Sequence, residues 1–97
     1  MTNQITEQHL PPHPGSLVRA AMEDLGLSIN AFARKLGVSP ATIHRIVTEK
    51  SNISPEMAIR LSMTVRQSAL FWMQCQAQYD LYIAKNRVDF SQLSPLE

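Results

Sequence analysis

Apolar residues recur at helical spacing along most of the chain. Val18, Ala21, Met22 and Leu25 stand at i, i+3, i+4 and i+7, the stripe of one helix face, and Gly26 follows as a stop. The spacing predicts a first helix from about Pro14 to Leu25. Ile29, Phe32, Ala33 and Leu36 repeat the pattern behind the N-cap Ser28, and Gly37 supplies a turn residue free to adopt positive φ. Ile43, Ile46 and Val47 mark a third helix, with Ser39 as its cap and Pro40 at the first helical position. Ser54-Pro55 opens a fourth, whose stripe reads Ala58, Leu61 and Val65. A fifth is expected from Ser68 to about Ala84. Residues 1–12 are polar, end in Pro11-Pro12 and read as an N-terminal arm, and residues 86–97, with Pro95, read as a tail. The expectation is an all-α domain over residues 13–85, five helices with no strands and no repeats.

Residues 28–50 are the most informative run: two short helices joined by a Gly-centred turn, the second beginning Ser39-Pro40. That is the layout of a helix-turn-helix, whose second helix enters the DNA major groove. At about 100° per residue, Ile43, Ile46 and Val47 point to one side of the third helix. Ala41, Arg45 and Thr48 point almost opposite, flanked by Thr42 and His44. A small N-terminal end lets such a helix approach the bases, an arginine can donate a bidentate pair to guanine, and a threonine can bond a base edge or phosphate. Backbone N–H groups at the helix start could hold a phosphate. The candidate DNA-contacting residues are Ser39, Pro40, Ala41, Thr42, His44, Arg45, Thr48 and Lys50. An ordinary solvated helix face is the alternative.

The fifth helix carries two apolar stripes. Trp72, Cys75, Tyr79 and Ile83 form one, flanked by Phe71 and Tyr82; Leu70, Met73, Ala77, Leu81 and Ala84 form the other. Gln76 and Asp80 separate them on one side, Gln74 and Gln78 on the other. A helix packed only on its own domain needs one stripe. The second stripe is therefore a candidate interface, either with a second copy or with a different protein.

Net charge is only +1, so the chain is not polybasic as a whole. Residues 28–66 hold six basic side chains against two acidic ones, a local excess of four that suits phosphate contact. Ninety-seven residues suffice for one domain with a modest core. No apolar run approaches the roughly 18 residues of a membrane span, and the first residues lack the basic and apolar regions of a signal peptide. A single cysteine, Cys75, offers no internal disulfide, which together with these features leads to an expected cytoplasmic location. His9 and His13 lie four apart, but Pro11 and Pro12 break any helix between them and no metal site is expected. No nucleophile motif, phosphate loop or metalloprotease signature is present, so neither catalysis nor a cofactor is expected.

The run Leu27–Lys50 resembles the Cro/repressor-type helix-turn-helix, and the wider chain resembles the HigA (VapI-like) antitoxins of type II toxin–antitoxin modules. The resemblance rests on His13-Pro14-Gly15, Leu27-Ser28, Leu36-Gly37-Val38, Ile53-Ser54, Phe71-Trp72 and Tyr79-Asp80-Leu81. It implies a five-helix Cro/lambda-repressor-like domain. It also implies a homodimer that binds operator DNA, represses its own operon and neutralises a HigB-type, RelE-like mRNA-cleaving toxin. By position, Pro40, Ala41, Thr42 and Arg45 match the base-facing positions of the family. Three departures stand out: Ile29 replaces a frequent Gln, Thr48-Glu49 replaces a frequent Asn-Gly, and Pro40-Ala41 replaces polar base readers. A stand-alone phage-like repressor and a protein-interaction module without DNA binding are the other readings these residues allow.

Overall fold

A computed structural model describes residues 10–96; residues 1–9, most of the expected arm and His9 among them, and Glu97 lie outside the described part. Five helices follow one another: α1 (Pro14–Asp24), α2 (Ile29–Leu36), α3 (Pro40–Val47), α4 (Pro55–Ser62) and α5 (Ala69–Arg87). There is no strand among the described residues. The all-α, five-helix expectation is met.

Each helix starts where a side chain can satisfy an orphan N–H. Ser28, Ser39, Ser54 and Ser68 accept from the N–H of Ala31, Thr42, Met57 and Phe71. At α1 the same role falls to a histidine: His13 Nδ1 accepts the Gly15 N–H at 2.9 Å. The first three helices also end alike. The N–H of Leu27, Val38 and Lys50 reaches back to the carbonyl of Met22, Ala33 and Arg45, at 2.8–3.1 Å. Each closure needs one residue at positive φ: Gly26, Gly37 and, after α3, Glu49 at φ 65°.

The core gathers Val18 and Met22 from α1, Phe32, Ala33 and Leu36 from α2, and Ile43, Ile46 and Val47 from α3. Ile53, Met57, Ala58, Leu61 and Trp72 complete it. Two expected stripe members fall elsewhere. Leu25 caps α1, where the chain turns away, and is half exposed. Val65 lies in the bend after α4, half-buried against the core, and Met57 takes the buried place on the helix instead. The helix stops there because Thr64 Oγ1 donates back to the Arg60 carbonyl at 3.0 Å, tightening the last turn. Helix α5 runs three residues past the expected Ala84, to Arg87, and from Val88 the chain is non-helical and exposed.

Candidate nucleic-acid interface

Helix α3 rests on α2 and α1, with Ile43, Ile46 and Val47 turned inward. Its other side is open. Pro40, Ala41, His44, Arg45 and Lys50 are exposed, and Thr42 and Thr48 are partly so. Arg45 is the cation in the middle of this face. The Ser39 and Thr42 hydroxyls bond each other at 2.9 Å, and Ser39 also accepts the Thr42 N–H. Pro40 has no N–H, so the helix tip retains few donors for a phosphate. The Thr48 hydroxyl donates to the His44 carbonyl, 2.6 Å away. Its proton is thus directed into the helix rather than outward.

The mount of α3 explains residues that spacing alone could not. Gly15 lies against the end of α3 so closely that a Cβ there would overlap the Ile46 carbonyl oxygen. His13, which caps α1 one step earlier, sets its ring edge-on to Tyr79 of α5, centroids 4.8 Å apart. The His13-Pro14-Gly15 motif is therefore a cap, a helix start and a close backbone approach to the recognition helix.

A second mount is a polar side chain at the edge of the inner stripe of α5. Gln76, expected as a polar separator, is buried at 4% exposure. Its Oε1 accepts the Ile53 N–H at 2.7 Å, and its Nε2 donates to Asp80 Oδ1 at 2.9 Å and Asn52 Oδ1 at 3.3 Å. The loop leaving α3 is thereby tied to α5. The clue in the sequence was the i+4 spacing of Gln76 from Trp72, which puts it on the inner stripe.

The basic face also changes in membership. Arg60 forms an ion pair with Glu56 at 2.8 Å and donates to the Leu36 carbonyl at 2.8 Å, closing the end of α2. Removing that pair from residues 28–66 leaves Arg34, Lys35, Arg45, Lys50 and Arg66 against Glu49, so the excess of four is unchanged. Burial raises the Cys75 thiol above its ordinary range, which keeps it protonated at neutral pH. No group of three or more His, Cys, Asp or Glu side chains is arranged for a metal ion among the described residues.

On α5, Trp72 is buried and Cys75, Tyr79 and Ile83 are half-buried, as the first stripe requires. Of the second stripe, Ala77 and Ala84 are exposed, and Leu70 and Leu81 are exposed at 66% and 69%. Met73 departs from it, because its side chain packs in part against the core.

A bihelical unit whose second helix is held from behind and bare in front defines the helix-turn-helix class. The helix-turn-helix family model HTH_3 matches residues 18–66. The chain is 35% identical over 85 residues to the HTH-type transcriptional regulator YddM of Escherichia coli K12, covering 88% of this chain and 90% of that one. It is 41% identical over 73 residues to virulence-associated protein A of Dichelobacter nodosus, covering 73% and 72%. Among solved structures, the Pseudomonas aeruginosa antitoxin HigA with the higBA promoter superposes with a TM-score of 0.80 at 38% identity, covering 90% of this chain and 99% of that one. The chain belongs to the helix-turn-helix family and, within it, to the HigA-like group that includes the virulence-associated proteins. No helix among the described residues is long and apolar enough to cross a membrane.

Proposed function

We propose that this protein is a DNA-binding antitoxin that represses its own operon as a dimer and neutralises a HigB/RelE-like mRNA-cleaving toxin. The observation that carries the DNA-binding part is the open face of α3. Small residues at its tip and Arg45 in its middle stand on the scaffold that the promoter-bound HigA shares. In this reading Arg45 reads a base edge, while Ala41 and Pro40 let the helix end sit deep in the groove. Thr42 and His44 flank it, and Lys50, with Ser39 and Thr48, lies toward the phosphates. Two copies place their recognition helices about 34–36 Å apart on a palindrome. The antitoxin part is supported by the likeness to HigA over nearly the whole of both chains.

The test is a mobility shift on the DNA upstream of the chain's own gene, titrated with salt. Retardation that weakens steeply with salt is expected. Arg45→Ala should cost about 1–3 kcal/mol of operator binding, concentrated at one base position. Unchanged affinity in a folded Arg45→Ala protein would remove that assignment. Co-expression with a neighbouring small RNase-like protein tests the antitoxin part, with rescue of growth as the expected result.

A further inference from the structure

Helix α3 has eight residues, about 12 Å at 1.5 Å per residue, close to the roughly 12 Å width of the DNA major groove. A chain leaving the end of such a helix meets the sugar–phosphate wall within a few residues. Those residues here are Lys50, Ser51 and Asn52, the first and last exposed and the middle one half-buried. Lys50 spends its N–H on closing α3, and Ile53 donates its own to Gln76. Between them, the N–H groups of Ser51 and Asn52 have no acceptor among the described residues.

Which end of the Asn52 amide faces outward is decided from inside the protein. The Ile53 N–H can only donate, so the Gln76 atom it meets at 2.7 Å is the oxygen Oε1. The Gln76 nitrogen Nε2 is then the atom toward Asp80 Oδ1, 2.9 Å away, on a carboxylate that accepts. The same Nε2 donates its other hydrogen to Asn52 at 3.3 Å, so the Asn52 atom turned inward is Oδ1. Asn52 Nδ2, with two hydrogens and no acceptor among the described residues, is left for the outside. A backbone donor and a carboxylate thus set the polarity of two amides in series. An exposed asparagine without such a relay can present either end. This one presents a donor, in a loop that also holds two unused N–H groups and the Lys50 ammonium.

We propose that Asn52 is a further DNA contact, donating from Nδ2 to a backbone phosphate, and that Gln76, held by Asp80, is its positioning residue. Spacing alone gives an asparagine no direction, so the sequence does not single it out. The contact rests on the DNA-binding reading above and adds to it a support that runs from α5 to the DNA. A phosphate contact of this kind fixes the register of α3 on the duplex rather than the bases it reads.

The experiment is a mobility-shift titration of Asn52 variants on the DNA upstream of the chain's own gene, across a range of salt. Asn52 is exposed, so its substitution leaves the core in place. Asn52→Ala should bind about 10-fold more weakly, as loss of one hydrogen bond to a charged group predicts. The slope of log affinity against log salt should not change, because a neutral amide displaces no counterion, whereas Lys50→Ala should flatten it. Asn52→Asp keeps the inward oxygen and turns a second oxygen outward, so it should bind more weakly still. The Asn52 side-chain NH₂ signals, identified in an NMR spectrum by their loss in Asn52→Ala, should move when the same DNA is added. In a Gln76→Met background, checked for helical content, Asn52 has lost its guide and Asn52→Ala should cost little further affinity. Equal losses in the two backgrounds overturn the positioning role of Gln76. Unchanged affinity in a folded Asn52→Ala protein overturns the contact and leaves the DNA-binding reading standing. No retardation by the unsubstituted protein overturns both.

Discussion

Glu49 occupies the one positive-φ position among the described residues that is not a glycine. The closure of α3 demands that conformation, because the Glu49 and Lys50 N–H groups must turn back to the carbonyls of Ile46 and Arg45. A side chain there costs about 1 kcal/mol or more relative to glycine. Glu49→Gly should therefore raise stability by about 1 kcal/mol and the melting temperature by roughly 4–8 °C, measured by thermal circular dichroism. It also removes a carboxylate from the end of the proposed DNA-facing helix, so operator affinity should rise. Gly15 presents the opposite case. Gly15→Ala would drive a methyl into the Ile46 carbonyl, and the fixed backbone on both sides leaves it nowhere to go. We expect a loss of about 2 kcal/mol or more by chemical denaturation. A weaker effect would mean that α1 can slide on α3.

At the scale of elements, the helices were legible because their ends are written locally. Four serine caps, three proline starts and two turn glycines lie within a few residues of the groups they satisfy. Side chains that reach across the fold were not legible. Gln76 has ordinary polar character and becomes a buried acceptor only because the α3–α4 loop ends beside it. Arg60 reads as a free cation and becomes the closure of α2 only because α4 passes its end. Gln76→Leu keeps the size but leaves the Ile53 N–H buried without a partner, at a cost of about 1–3 kcal/mol. Native-state hydrogen exchange should show the Ile53 amide losing its protection. If protection and stability both survive, the loop is held by something other than α5.

For the whole molecule, α5 is the element that connects surfaces. Its inner side carries Trp72, Gln76 and Tyr79, which hold the core, the loop after α3 and the start of α1. Its outer side carries Leu70 and Leu81 into solvent. A partner on the outer side would therefore fix the two recognition helices relative to each other. Leu81→Glu should turn a dimer into a monomer by sedimentation while leaving the helical content intact. It should also convert tight operator binding to weak half-site binding. A dimer that survives the substitution would place the interface elsewhere. What the sequence by itself determined was the local chemistry: the period of each apolar stripe, the caps, the turns and the small-plus-arginine face of α3, each a matter of a few neighbouring residues. Only the tertiary structure decided which polar side chains are structural and why glycine must stand at position 15. Both depend on segments more than twenty residues apart arriving side by side, and no local period encodes that arrival.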